Sequence, residues 1–154
     1  MKVQPYLFFD GRCEEALDFD KRALGAEVLM LMRFNEAPDP PPPDMIAPGS
    51  ENKVMHASVR IGETEVLASD GRSMGQPVFQ GVSLSLAVTS EAEADRVFKA
   101  LSEGGQIQMP IGKTFWAERF GMLVDRFGIP WMINCDTAVS SAARRSANEL
   151  AEAR

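Results

Sequence analysis

Two stretches decide the fold: CEEALDFDKRALG at residues 13–25 and AEADRVFKALSEG at residues 92–104. In the first, Cys13, Ala16, Leu17, Asp20, Ala23 and Leu24 fall on one helical face, while Glu14, Glu15, Asp18, Lys21 and Arg22 fall on the other. Apolar residues at this spacing mark an amphipathic helix. In the second, Ala94, Val97, Phe98 and Leu101 make the apolar stripe, and Ser90 with Glu93 three residues on reads as a capping box. Gly25 and Gly104 end the two helices, because glycine closes a helix in the left-handed conformation without steric cost. Phe19 precedes Gly25 by the same interval as Phe98 precedes Gly104, so the two helices are equivalent points of a repeat.

The flanking sequence repeats as well. Residues Val3 to Phe9 read as a strand, and Asp10-Gly11 as a turn in which Asp10 bonds nearby backbone N–H groups. Further strands are expected at Ala26 to Phe34, Val54 to Ile61 and Thr64 to Ser69, the third showing clean alternation of apolar and polar side chains. After the turn-rich stretch 70–80 the order restarts: a strand at Val82 to Val88, the second helix, then strands at Gln106 to Ile111, Thr114 to Val124 and Ile129 to Cys135. Strand, helix and three strands thus occur twice. The expected fold is α+β, with two βαβββ modules at residues 1–72 and 80–136. Their mixed sheets are expected to pair about a pseudo-twofold axis, with a concave cleft and the helices outside. Together they form a single domain at 1–136, followed by a C-terminal helix or tail at 137–154. Between strands two and three of module one lies a loop at 35–52 holding Pro38, Pro40 to Pro43 and Pro48. Prolines cannot donate ladder hydrogen bonds, so this segment is expected to be an extended lid at the mouth of the cleft.

Composition excludes several classes of function. The chain has 154 residues and a net charge of −6. It lacks the clustered Lys and Arg that hold nucleic acid or an anionic membrane surface, so neither is an expected partner. No apolar run reaches the ~18 residues a membrane span requires. The N-terminus has no long apolar core or small-residue cleavage site, and a cytoplasmic protein is expected. The two cysteines, Cys13 and Cys135, lack basic neighbours and read as small core residues.

Several blocks together carry a family resemblance. They are Pro-Tyr-Leu-Phe-Phe-Asp-Gly at 5–11, Glu15-Ala16, Leu24-Gly25-Ala26-Glu27, Met55-His56-Ala57 and Ser69-Asp70. The most specific are Thr114-Phe115-Trp116-Ala117 and the run from Asp125-Arg126-Phe127-Gly128 through Ile129-Pro130-Trp131-Met132-Ile133-Asn134. The chain resembles the PhnB-like proteins of the vicinal oxygen chelate superfamily, which includes glyoxalase, extradiol dioxygenases and bleomycin- or fosfomycin-resistance proteins. The resemblance implies the paired βαβββ fold and a homodimer. Catalytic members of the superfamily hold a divalent metal with His, Gln and Glu from the first and last strands of the modules. Here those strands offer Gln4 or Tyr6, Ser83 and Ser85, and Met132 and Asn134. These are weak ligands, so no metal or other cofactor is expected. No glycine-rich nucleotide loop stands between a strand and a helix.

The candidate ligand-binding residues are Tyr6, Phe8, His56, Ser58, Ser83, Ser85, Trp116, Glu118, Met132 and Asn134; none is assigned a catalytic role. His56 is the one histidine, on a strand face made polar by Ser58 and Arg60. Trp116 suits stacking on a planar ligand. Glu118 shares its side of the strand with Trp116, Phe120 and Met122. The expected function is binding of a small, partly aromatic molecule. The alternative is a lyase, isomerase or dioxygenase-type enzyme with an atypical site. Asp125 is expected to make a turn bond. Asp20, where PhnB-like relatives usually carry tyrosine, is expected either to reach a cation or to leave the missing ring volume to water.

Overall fold

The computed structural model describes residues 1–72, 75, 77–136 and 149–151. The chain forms two compact units, Met1–Val78 and Phe79–Arg154. The first contains β1 (Tyr6–Phe8), α1 (Cys13–Leu24), β2 (Glu27–Arg33), β3 (Val54–Ile61) and β4 (Thr64–Ser69). The second contains β5 (Leu84–Val88), α2 (Glu91–Ser102), β6 (Gln106–Gly112), β7 (Ala117–Val124) and β8 (Pro130–Asp136). Each unit holds one four-stranded mixed sheet, ordered β1-β4-β3-β2 in the first and β5-β8-β7-β6 in the second. In both, the first strand runs parallel to the last, and the remaining pairs are antiparallel. The fold is α+β with the expected βαβββ order in each half. Among the described residues no helix is long and apolar enough to cross a membrane.

Three strands start two or more residues later than expected, each for a local reason, and the other differences are of one residue. β1 is short because Pro5 has no N–H; its carbonyl instead accepts a hydrogen bond from Leu67 N at 2.9 Å. Val82 and Ser83 precede β5, which begins at Leu84 after Gly81 has turned the chain in the left-handed region. β7 begins at Ala117 because Thr114 closes a turn: its N–H donates to Ala117 O at 3.0 Å, and its hydroxyl accepts from Ala117 N at 3.1 Å. Residues 35–52 include two short 3₁₀ turns ending at Glu36 and Met45. The base of this loop is zipped by Phe34 N to Lys53 O and Asn35 N to Glu51 O. The helix or tail expected at 137–154 falls almost entirely outside the described residues.

Each helix buries the stripe read from its sequence. α1 packs against β3 through Cys13, Ala16, Leu17 and Ala23, and Phe19 is buried with them. Asp20 is buried too, and no buried side-chain nitrogen or oxygen among the described residues lacks a hydrogen-bond partner. α2 is capped by Ser90, whose hydroxyl accepts from Glu93 N at 3.2 Å, while the Glu93 carboxylate reaches back to Thr89 N. It packs on β7 and β8 through Ala94, Val97, Phe98 and Leu101, over Leu123, Trp131 and Ile133. A Cβ at Gly121 would lie 2.6 Å from Cε2 of Phe98, so the ring sits directly on the bare backbone of β7.

The turn between β1 and α1 is held from far along the chain. Asp10 does not bond its neighbours as expected; its Oδ1 accepts from Gly75 N at 3.3 Å. The local N–H groups of Gly11 and Cys13 donate instead to Oδ1 of Asp70, each at 2.8 Å, and Val54 N donates to Oδ2 at 2.8 Å. Arg12, the residue ahead of α1, makes no side-chain cap bond, so Asp70 supplies the acceptor that the first turn of the helix lacks. Its negative charge at a helix N-terminus is favourable for the helix dipole. In the second unit Asp125 does the turn work expected of it. Oδ1 accepts from Phe127 N and Ile129 N, Oδ2 accepts from the indole N–H of Trp131 at 2.9 Å, and burial pushes this carboxyl above its ordinary range.

Asp70→Ala strands three backbone donors, two of them buried, and each stranded donor costs about 1–3 kcal/mol. Asp70→Asn keeps one acceptor oxygen and turns an amide N–H against a donor. Urea unfolding followed by circular dichroism is expected to rank the midpoints wild type, Asp70→Asn, Asp70→Ala from highest to lowest, the last variant losing about 3 kcal/mol or more of unfolding free energy.

Candidate functional site

In the first unit a cavity of about 610 Å³ opens beside β1. Its aromatic wall comes from Tyr6 and Phe8, which alternate out of β1 and stack with ring centroids 4.9 Å apart. Phe34 at the end of β2 and Met55 on β3 extend the apolar surface. Pro41, Met45 and Ile46 close it from the proline-rich segment. That segment is tethered on the far side by Ala47 N, which donates to Arg72 O at 3.1 Å. Gly71 lies against the Phe8 ring with φ of +59°, and a Cβ there would come within 3.0 Å of Phe8 Cδ1. Glycine therefore both permits the turn after β4 and leaves room for the ring. The charged groups on the wall are Asp10, Asp70 and Arg72. A second space, of about 590 Å³, is lined by residues 34–51 alone and shares Phe34, Pro41 and Ile46 with the first.

Tyr6 and His56 are joined directly: the phenol oxygen lies 2.7 Å from Nδ1 of His56. Burial pushes the pKa of the phenol above its ordinary value, so Tyr6 keeps its proton at neutral pH. His56 itself does not line the cavity; it stands behind Tyr6. Ser58 is buried and donates to Glu65 Oε1, and Glu65 also pairs with Lys2 at 2.8 Å. Of the four residues proposed in this unit, Tyr6 and Phe8 face the cavity, His56 supports Tyr6, and Ser58 is spent on Glu65.

In the second unit the sheet face away from α2 carries most of the other candidates. Ser85 pairs with Met132, which pairs with Met122, and Asn134 pairs with Phe120. Asn134 is buried, and its amide N–H donates to Asp136. Trp116 lies edge-on to Phe120 at 5.3 Å, and Phe115, 94% exposed, lies edge-on to Trp116 at 4.7 Å. Glu118 is paired with Lys113 at 3.0 Å. Ser83 is an exposed residue ahead of the strand rather than part of it. No cavity comparable to that beside Tyr6 gathers these side chains among the described residues.

The donors fit a divalent metal poorly. No group of three or more His, Cys, Asp or Glu side chains among the described residues could hold a metal ion. His56 Nδ1 is engaged by Tyr6, and Asn134 by Asp136. Both cysteines are buried with thiols pushed up by desolvation, Cys13 strongly, so neither is a thiolate ligand or nucleophile at neutral pH. Sequence reasoning missed Phe34, Met45, Ile46, Met55 and Arg72. It passed over Asp70 as well, although an aspartate directly after a strand and before glycine is a turn signal.

The Lys2 and Ser58 hydrogen bonds hold the Glu65 carboxyl down at about 2. A carboxylate depressed below its unfolded value of about 4.3 stabilises the fold above that pH. The contribution is lost as pH falls through about 2. Glu65→Gln is therefore expected to lower the urea midpoint at about pH 6 and to converge on the wild-type midpoint as pH approaches 2. A difference that stays constant with pH would mean that the pair contributes only through packing.

A family model described as 3-demethylubiquinone-9 3-methyltransferase matches residues 1–134. Protein PA1353 from Pseudomonas aeruginosa is 41% identical, with a TM-score of 0.77 over 88% of this chain and 98% of its own. Protein YjdN from Escherichia coli is 37% identical over 87% of this chain and 95% of its own. A structure titled as a PhnB protein from Bacillus cereus is 28% identical, with a TM-score of 0.73 over 88% of this chain and 99% of its own. A glyoxylase/bleomycin resistance protein/dioxygenase domain from Frankia shares the fold alone, at 13% identity and a TM-score of 0.62. The two repeated βαβββ sheets and these matches lead to one assignment: the chain belongs to the PhnB-like, 3-demethylubiquinone-9 3-methyltransferase family, with the fold of the glyoxalase/bleomycin resistance superfamily.

Proposed function

We propose that this protein binds a small molecule with an apolar, partly aromatic body in the module-one cavity, and that it does so without a metal. The observation that carries this reading is the cavity of about 610 Å³ walled by the Tyr6–Phe8 stack, Phe34, Met45, Ile46 and Met55. Small-molecule sites commonly enclose ~300–1,000 Å³ and are lined mainly by apolar and aromatic groups. The metal-free part of the reading is supported by the donor set, because the available His, Ser and Asn groups are weak or already engaged. The proline-rich segment acts as the lid. Its restricted backbone has less entropy to lose when a ligand orders it than a glycine-rich loop would. The exposed apolar side chains Met30, Ile107, Met109 and Phe115 support a second copy of the chain as partner, giving a homodimer.

One observation favours a second reading, an enzyme of lyase, isomerase or dioxygenase type. A phenol on the cavity wall with an imidazole nitrogen behind it is a route for moving a proton to or from a bound molecule.

Binding of Nile red, a neutral apolar dye, tests the site by fluorescence titration. Ile46→Glu places a charge on the cavity wall from a loop position that carries little of the core. It is expected to weaken dye binding by about tenfold or more, since an unpaired charge against an apolar ligand costs at least that much. Trp116→Ala is expected to leave the affinity within about twofold, a difference of under 1 kcal/mol. The reverse pattern would move the site to the second unit.

A further inference from the structure

We infer that the ligand of this cavity is a monocarboxylate borne on the aromatic or apolar body, and that Arg72 holds its carboxylate. The inference deepens the binding reading above and rests on it. The three charged side chains on the wall are not equivalent. Asp70 is only 2% exposed, and its oxygens are taken by the N–H groups of Gly11, Cys13 and Val54, so it belongs to the scaffold. Asp10 is partly exposed and accepts one hydrogen bond, from Gly75 N. Arg72 is exposed, and its side chain makes no ion pair or hydrogen bond within the described residues. Its backbone is fixed, because Arg72 O accepts from Ala47 N on the lid segment.

A guanidinium is always charged, and its planar array of donors matches the two oxygens of a carboxylate. Elsewhere in this unit a guanidinium meets a carboxylate in just this manner: Arg33 contacts both oxygens of Glu14, at 2.7 and 2.9 Å. Among the described residues Arg12, Arg33, Arg60, Arg119 and Arg126 pair with carboxylates; Arg72 lines the cavity without such a partner. The charge on the ligand is limited by the same wall. Asp10 and Asp70 line the same cavity as Arg72, so each further negative charge on a ligand adds repulsion, and a dianion such as a phosphate monoester is disfavoured relative to a monoanion. Stacked Tyr6 and Phe8 then receive the flat body to which the carboxylate is attached.

Three probes of one shape separate charge from shape: indole-3-propionate, tryptamine and 3-methylindole, each titrated calorimetrically into the full-length protein. Indole-3-propionate is expected to bind about tenfold or more tighter than the other two, the effect of a charge-assisted hydrogen bond pair. Arg72→Met is expected to remove that advantage while leaving 3-methylindole within about twofold of wild type, and Arg72→Lys to restore part of it. Arg72 serves the fold through its carbonyl, and matching circular dichroism of the variants checks that the fold is kept. Two results overturn the inference while leaving the cavity reading intact: 3-methylindole or tryptamine binding as tightly as the acid, or unchanged acid binding in Arg72→Met. Failure of all three probes to bind at millimolar concentration overturns both.

Discussion

The first unit depends on one buried carboxylate. Asp70 stands directly after β4, yet its oxygens accept from Gly11 and Cys13 at the start of α1 and from Val54 at the start of β3. Three chain segments separated by dozens of residues thus meet at one side chain. Burying a charge is costly unless hydrogen bonds replace its water, and here backbone donors do so. The arrangement fixes where β1 ends and where the chain turns into α1. It therefore fixes the direction in which Tyr6 and Phe8 leave β1. The turn after Asp70 then carries Gly71 against Phe8 and Arg72 onto the cavity rim, so scaffold and site share the same few residues.

The elements were legible because each is written in short-range patterns. Alternation placed β3 at the observed bounds, the Gly62-Glu63 turn set off β4, and the three-to-four spacing placed both helices. Gly25 is the left-handed cap of α1, whereas α2 ends at Ser102 with an extended Glu103 ahead of Gly104. The errors fall at strand ends, where a proline, a turning glycine or a threonine hydroxyl overrides strand propensity. The site was less legible for a physical reason. Tyr6 and Phe8 could be seen because they alternate within a strand of the expected sheet. Met45, Ile46 and Arg72 could not, because they lie in loops whose course is set by distant hydrogen bonds such as Ala47 N to Arg72 O. Asp70 shows the same limit most plainly: its sequence neighbours mark a turn, but its acceptor role involves Gly11, Cys13 and Val54.

The same logic explains why the two units, alike in topology, differ in what they present. In the first, the loop between β2 and β3 is long and rich in proline, and its Pro41, Met45 and Ile46 line an open cavity together with the aromatic residues of β1. In the second, β6 is followed almost at once by the turn at Thr114, and no long loop joins β6 to β7. Its face away from α2 carries half-buried Met122 and Met132, buried Phe120 against Trp116, and Met109 paired with Met122. Flexible thioethers and edge-on aromatics make an adaptable apolar surface. A repeat of strand order therefore does not imply a repeat of function.

Polar groups complete the account of what the molecule can do. Ser58 is committed to Glu65, Glu118 to Lys113, Asn134 to Asp136 and Asp125 to its own turn and Trp131. Groups already bonded in this way cannot turn toward a ligand without leaving a partner unsatisfied, at about 1–3 kcal/mol for a buried donor or acceptor. The cavity keeps one charged group that escapes this cost. Arg72 lines it with no side-chain partner among the described residues, while the Tyr6 phenol is already bonded to His56. A binding site needs a shape and a few polar anchors that lose nothing by engaging a ligand. Arg72 lines the same cavity as the stacked aromatics of β1, and this coincidence is what the functional reading in the first unit rests on.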